Sequence, residues 1–434
     1  MLDVTDAAFG FVLLLGLMFI GLHIATSIFL VAALGAWWFF GDAMFRPFGT
    51  MMWGTLNNFL LVAIPLYVFM GEILVRGGVT ERMYRALADW LNPLPGGLLH
   101  TNIAASSIFA AISGSSVATA ATIGTVAFPA FRQRGYKEAW VVGSVASGAT
   151  LGILIPPSIN LIIYGAITNT SIGRLFTAGI LPGLLLMTFF MGLIIVWSSL
   201  DSSIAGKREK LAPWPERRKR LTDLLPPLVV FTLVMGSIYT GFATPTEAAG
   251  VGAVAAMILV ACYRCLTLRL VRDAMLATVA TTAMTLLILV AAFYLNFVLG
   301  ILGVPAAVSS AISELDVSPA LMMVLLIVLY LVLGCFLDAL AMMIATIPIV
   351  WPVVQHLGFD AVWFGIFLVL MCELALITPP VGMNLYVVQS VRGRGSIGTV
   401  IVGVLPFLAA ILVLVGLTMA FPGLVNWLPS LLHG

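Results

Sequence analysis

The sequence predicts an all-α polytopic membrane protein made of two related halves, each carrying a re-entrant hairpin and a broken helix. Three observations carry that prediction. Apolar segments recur along the whole chain, two Pro-Pro pairs fall at matching positions within them, and basic residues flank the hairpin of only one half. The chain has 434 residues, 62% hydrophobic and 9% charged, where a soluble domain carries about 25% charged residues. No water-soluble fold hides that much apolar surface. The lipid bilayer is therefore the expected surroundings from Phe9 to Pro422. A net charge of +2 gives no reason to expect a nucleic-acid partner. The N-terminal MLDVTDAAFG is acidic and lacks a cleavage site, so it does not read as a cleaved signal peptide.

A membrane-crossing helix needs roughly 20 apolar residues. Candidates are roughly 8–40 (long enough for two short crossings turning near His23), 56–75, 139–168, 175–198, 224–240, 247–263, 274–300, 361–390 and 396–421. Two stretches differ. Roughly 97–129 is interrupted by Ile112-Ser113-Gly114-Ser115-Ser116, and roughly 318–351 is interrupted from Gly334 to Asp338. Their limbs, about 12–16 residues each, are short for a crossing, which predicts hairpins that enter and leave on one side. From Gly78 to Asn92, Val79, Met83, Leu87 and Leu91 alternate with Glu81, Arg82, Arg85 and Asp89, the pattern of a helix lying in the membrane interface. The polar stretch from Asp201 to Asp223, rich in Lys and Arg, divides the chain near its middle.

The halves repeat. FPAFRQRGYKEAW (128–140) pairs with WPVVQHLGFDAVW (351–363), and Gly152 to Pro157 pairs with Ala375 to Pro380. Ser171-Ile172-Gly173 pairs with Ser396-Ile397-Gly398, and Leu181-Pro182 with Leu405-Pro406. The offset stays at 223 to 225 residues, and it also matches Gly114 to Leu337 and Ser115 to Asp338. Lys and Arg favour the cytoplasmic side. Arg76, Arg82, Arg85, Arg132, Arg134 and Lys137 surround the first hairpin, whereas 302–318 and 355–360 hold only Glu314, Asp316 and Asp360. The first hairpin is thus expected to open to the cytoplasm and the second to the outside, where the C-terminus would also lie. That is an inverted repeat, an arrangement typical of secondary transporters with midplane sites. The expected organisation is N-terminal scaffold helices (1–55), repeat 1 (56–198), a basic cytoplasmic linker (199–223), scaffold helices (224–273), repeat 2 (274–421) and a C-terminal tail (422–434).

Two successive prolines leave carbonyls of the preceding turn without helical partners. In hydrocarbon such backbone must line a cavity or bind something. Asn160 and Asn384 follow the two pairs, near Ser158, Thr378 and Gly382. Uncharged, oxygen-rich surroundings suit a hard cation such as sodium. Plain proline kinks are the competing reading, weakened by the matched positions. The tip Ser113-Gly114-Ser115-Ser116, with Thr119 and Thr122 beyond it, offers hydroxyls and a helix N-terminus that can hold a carboxylate; small-residue packing is the alternative. Asp338, an intramembrane carboxylate, either serves function or caps the following limb. Glu373, one turn before the second pair, is open in the same way. Glu72 and His23 read as structural, Thr244-Pro245-Thr246-Glu247 as a capping box, and Cys262, Cys265, Cys335 and Cys372 as packed thiols.

Enzyme signatures are missing. The sequence has no GxxxxGK[ST], HExxH or GxSxG, and the GxGxxG at 393–398 follows a membrane helix rather than a strand. The chain is not expected to be an enzyme. An embedded enzyme using Asp338 and Glu373 as an acid-base pair is the reading from another class.

ISGSSVATAATIG (112–124), GILIPPS (152–158), ATPTEAAGVGA (243–253), FLD (336–338) and LITPPVGMNL (376–385) resemble the large membrane subunit of tripartite ATP-independent periplasmic (TRAP) transporters, the DctM or SiaM type. The likeness runs over nearly the whole chain. It implies an elevator-type transporter, similar to the wider ion-transporter superfamily, in the bacterial inner membrane. It implies sodium-coupled uptake of an organic acid anion, with a small four-helix membrane subunit (DctQ/SiaQ-like) and a periplasmic substrate-binding protein (DctP/SiaP-like) as partners. The resemblance puts sodium at Ser113, Gly114, Ser115, Pro156 and Ser158 in one half. In the other half it puts sodium at Gly334, Asp338, Thr378 and Gly382. Substrate is expected at Ser115, Ser116, Asn160, Asp338 and Asn384. A stand-alone dicarboxylate–sodium symporter is the alternative within transport. Two positions depart from the family pattern: His23 stands where relatives often have proline, and Met371 where many have asparagine.

Overall fold

The computed structural model describes residues 4–206, 212–304, 307, 310 and 318–433. All regular structure among them is helical. α1 (Val4–Phe19), α2 (Ile24–Phe40) and α3 (Phe48–Leu56) begin the chain, so the stretch 8–40 makes two helices with the turn just ahead of Ile24. α4 (Ala63–Arg76) and α5 (Val79–Leu91) follow. α6 (Leu98–Ser113) and α7 (Ser116–Arg132) are the limbs of the first hairpin. α8 (Glu138–Thr150) and α9 (Ile159–Thr168) are the two parts of the first broken helix, and α10 (Ile172–Leu200) leads to the linker. Then come α11 (Trp214–Leu221), α12 (Leu225–Tyr239), α13 (Pro245–Cys262) and α14 (Leu268–Leu302). The second hairpin is α15 (Pro319–Gly334) and α16 (Ala339–His356); the second broken helix is α17 (Ala361–Ile377) and α18 (Met383–Arg392). α19 (Ile397–Ala420) and α20 (Gly423–His433) complete the chain. Of the charges used to orient the halves, Glu314 and Asp316 lie outside the described residues, as do Lys207, Arg208 and Lys210 of the basic linker.

Among the described residues, eight helical stretches are long and apolar enough to cross a membrane. They include α16, whose 18 residues exceed the length expected for that limb. Pro348 and Pro352 sit inside α16, where neighbouring groups can satisfy the freed carbonyls. Leu200, Leu268 and Trp38 are among the most exposed side chains. Apolar exposure of this kind is what lipid-facing positions require.

The helices start where the sequence places caps. Ser115, Ser158, Ser171, Thr267, Ser318, Asp338 and Asp360 each accept a hydrogen bond from a backbone N–H of the next helix's first turn. Thr244 and Glu247 form the full reciprocal capping box before α13, a device that contributes about 1 kcal/mol. Glu72 pairs with Arg76 one turn on, at 2.9 Å. The four cysteines are free.

α5 is amphipathic as its spacing predicts, but its apolar face meets protein. Val79, Met83, Tyr84, Ala86 and Leu87 are buried, and Tyr84 donates to Asn102 Oδ1 on α6 at 2.7 Å. Its polar face holds the linker: Arg220 of α11 reaches Asp89 at 2.9 Å, Trp214 packs on Trp90, and the Arg217 guanidinium lies 4.8 Å from the Trp90 ring centroid.

The interior is formed by α17, buried at every position from Val362 to Ile377, with α8, α9, α15, α16 and α19 packed around it. The tightest crossing is between α8 and α19. A Cβ on Gly143 would fall 2.1 Å from the Gly403 carbonyl oxygen, and a Cβ on Gly403 would fall 2.1 Å from that of Ala139. Small residues that let backbones approach this closely are a hallmark of membrane helix packing.

Candidate transport site

The Pro-Pro pairs end the helices as expected. α8 passes through a short 3-10 turn (Leu151–Ile153), loses its regular bonding, and α9 resumes at Ile159. α17 stops at Ile377 and α18 begins at Met383. The Pro156-Pro157 and Pro379-Pro380 bonds are cis.

Each break faces a hairpin tip. In the first half, Gly114 takes the left-handed conformation that closes α6, and a Cβ there would lie 2.8 Å from the Pro157 carbonyl oxygen. From the other side, a Cβ on Gly152 would meet the Ser115 backbone at 3.0 Å. Tip and break thus touch through backbone, with the N-termini of α7 and α9 side by side. Their hydroxyls are tied locally. Ser113 Oγ lies 3.1 Å from Thr119 Oγ1, Thr119 donates to the Ser115 carbonyl at 2.7 Å, and Ser158 donates to the Ile153 carbonyl. The Ser158 hydroxyl therefore fills one of the carbonyls that the prolines leave open.

The second half repeats the arrangement with different chemistry. A Cβ on Gly334 would fall 2.8 Å from the Ala375 Cα, so this tip also sits directly on its broken helix. Asp338 caps α16, its Oδ1 accepting from the N–H groups of Leu340 at 2.9 Å and Ala341 at 3.0 Å. Thr378 donates to the Leu374 carbonyl at 2.6 Å, and Gly382 N–H donates to the Thr378 carbonyl at 3.1 Å. Two cysteines read as packing residues belong here. The Cys335 thiol donates to the Pro379 carbonyl at 3.2 Å and the Cys372 thiol to the Ala339 carbonyl at 3.3 Å. Their position beside the tip and the break was the signal available in the sequence.

Asn384 joins the halves. It is fully buried, and its amide donates to Ser116 Oγ at 2.7 Å and to the Ala146 carbonyl at 3.1 Å. The mid-chain break of one half is thereby bonded to the hairpin of the other. By the repeat offset, the corresponding pair is Asn160 and Ala339. Ala339 has no hydroxyl, and the buried Asn160 Nδ2 meets no acceptor among the described residues. Asn384 Oδ1 is likewise without a donor among them. An unpaired buried amide group costs about 1–3 kcal/mol, so each of these two groups keeps an unused hydrogen-bonding capacity. Ser115, Ser116, Asn160, Asp338 and Asn384 all lie at the two tip–break junctions or directly after them.

Sequence reasoning missed one contact set. Arg392, only 3% exposed, forms two hydrogen-bonded contacts of 2.9 Å with Glu138 at the start of α8. Arg132, at the end of α7, donates to the Arg392 carbonyl at 2.8 Å. These residues bound a cavity of about 170 Å³, with Arg394 on its rim. α7 and α18 are therefore fastened at both ends, by Asn384 at one and by Arg132 at the other.

Comparison with known proteins places this arrangement. Solved structures share the fold. The Alcanivorax borkumensis YdaH transporter superposes with a TM-score of 0.61 at 16% identity, covering 88% of this chain and 89% of its own. The Neisseria gonorrhoeae MtrF efflux pump gives 0.55 at 12% identity, covering 94% of each. In sequence, the C4-dicarboxylate TRAP transporter large permease protein DctM of Pseudomonas aeruginosa is 36% identical over 88% of this chain and 90% of its own. The sialic acid TRAP transporter large permease protein SiaM of Vibrio cholerae is 32% identical over 97% of each. The ectoine/5-hydroxyectoine TRAP transporter large permease protein UehC of Ruegeria pomeroyi is 29% identical over 98% of this chain and 99% of its own. Residues 11–424 match the family described as tripartite ATP-independent periplasmic transporter, DctM component. The chain, all-helical and multi-pass, therefore belongs to the DctM family of TRAP transporter large permeases, which are transporters and not enzymes.

Proposed function

We propose that this chain is the large transmembrane subunit of a sodium-coupled secondary transporter that imports a small organic acid anion delivered by a periplasmic binding protein. The observation that carries this is the pair of Pro-Pro breaks, each closed by a hairpin tip, with the buried Asn160 Nδ2 and Asn384 Oδ1 left unpaired among the described residues. Sodium is a hard cation that takes oxygen ligands; carbonyls and hydroxyls supply them at both junctions, and the Asp338 carboxylate adds one at the second. A bound anion would meet amide N–H groups and the N-termini of α7 and α16, which favour negative charge. A small four-helix membrane subunit and the binding protein complete the system, in the bacterial inner membrane. The hairpins and broken helices move as one elevator-like unit against the remaining helices.

The halves are inverted in this reading. Cysteine substitutions at Gly135 and Gly358, both in turns at the bases of the hairpins, should be labelled from opposite sides of the membrane, the first from the cytoplasm. Labelling of both from one side would end the inverted-repeat reading. For coupling, the complete three-component system is reconstituted in liposomes and tested with radiolabelled succinate, sialic acid and ectoine. Uptake should require the binding protein and an inward sodium gradient. Uptake that persists without any sodium gradient would remove the coupling claim, and uptake by this chain alone would favour a stand-alone symporter.

A further inference from the structure

Glu373 is a buried carboxylate without a hydrogen-bond partner among the described residues. It lies on α17 in the middle of a run of buried residues, and its own exposure is 0%. Neither Oε1 nor Oε2 meets a donor among the described residues. The buried basic side chains that are described are His100 and Arg392. His100 bonds the Pro95 carbonyl at the base of the first hairpin, and Arg392 is held by Glu138.

The groups packed around α17 do not neutralise it. Cys372, adjoining it in sequence, donates its thiol hydrogen to the carbonyl of Ala339, the residue after Asp338. On α9 the Tyr164 phenol donates to the Ala361 carbonyl, and on α15 the Tyr330 phenol pairs with Thr346 of α16. The charged groups of α8, α10 and α18 sit at helix ends: Glu138, Arg174 and Arg392.

The repeat sharpens the point. At an offset of 223, Glu373 corresponds to Thr150 and Asp338 to Ser115. Thr150 satisfies itself by donating to the Ser147 carbonyl at 2.9 Å. Where the first half carries two hydroxyls, the second carries two carboxylates. Burying a bare carboxylate costs several kcal/mol, and Asp338 at least accepts two backbone N–H groups. Glu373 has no such relief.

We propose that Glu373 binds an additional co-transported monovalent cation, a proton or a sodium ion, beyond the ions expected at the two tips. It rests on the transport reading above. A charged Glu373 takes up the cation when the unit faces outward, moves as a neutral pair, and releases the cation inside. The carboxyl is neither oxidised nor consumed.

Infrared difference spectroscopy on the full chain in lipid tests the site without any substrate. The chain is compared at two pH values without sodium, and at one pH with and without sodium. Wild type should show a glutamic-acid carbonyl band that changes with pH if the cation is a proton, or carboxylate bands that change with sodium if it is sodium. Glu373→Gln should lose that signal, and Glu373→Asp, which keeps a carboxyl group if Gln fails to fold, should shift it. Spectra of the variants identical to wild type under both changes would overturn the proposal. In liposomes, the charge moved per labelled substrate should fall by one in Glu373→Gln. An unchanged ratio would overturn co-transport. A wild type without sodium-driven uptake would instead overturn the transport reading, leaving the spectra to judge this site separately.

Discussion

Replacing Gly143 by valine is expected to abolish recovery of folded protein. The Gly143 Cβ position is 2.1 Å from a backbone oxygen of α19, and the reciprocal position on Gly403 is as close to α8. A backbone carbonyl in mid-helix cannot swing away as a side chain can. Even the single methyl of Gly143→Ala would force the two helices apart, which puts its cost at about 3 kcal/mol or more, the upper end for overpacking. Because α19 also packs on α10 and α17, the displacement would spread into the interior. Size-exclusion profiles and thermal melts in detergent check this: Ala should lower the melting temperature markedly, and Val should give aggregate. A valine variant as monodisperse and stable as wild type would show that the crossing is looser than described. Gly416, which has nothing within 4 Å of its Cβ position, is the control and should tolerate alanine.

The second large effect separates activity from folding. Gly114→Val and Gly334→Val each place a side chain between a tip and its broken helix, where the nearest atoms are backbone at 2.8 Å. Gly114 additionally has a φ of +59°, a conformation that β-branched residues resist. The limbs also pack along other helices, α6 on α8 and α15 on α17, so both proteins should still be recovered as folded chains. Their tips would stand off the breaks, and uptake should fall by about a hundredfold or more, since a misplacement of about 1 Å can cost that much in a site that depends on positioning. Radiolabelled uptake normalised to protein in the membrane is the measurement. Two variants transporting at wild-type rates would mean that the junctions are not where the solute and ions are handled.

Much of this was legible because it is local. A Pro-Pro pair in mid-helix breaks the helix, whereas Pro226-Pro227 in the first turn of α12 does not, and a serine or aspartate before a limb becomes its cap, as Ser115 and Asp338 do. The capping box at Thr244 needs only four consecutive residues. The repeat told which tip belongs to which break. Contacts between distant elements were not legible. Asn384 and Ser116 are 268 residues apart, and Arg392 and Glu138 are 254 apart; no periodicity or motif announces such partners. The amphipathic pattern of α5 announced an apolar face but not what covers it. Lipid and the side of another helix select the same residues, and here Asn102 and its neighbours on α6 fill that role. Glu373 was visible as an intramembrane acid, yet only the packing reveals that it lacks the partner that Asp338 has in its own helix's first turn.

The clasp between α5 and α11 bears on how the two halves stay together. Arg220 on Asp89, Trp214 against Trp90 and Arg217 over the Trp90 ring hold the far end of the linker to the first half. Each such surface contact is worth about 1 kcal/mol or less, but together they act independently of the peptide bonds between residues 206 and 212. The connecting chain is therefore not the sole tether. A protein cut within 207–211 would retain a docking point for its own second piece.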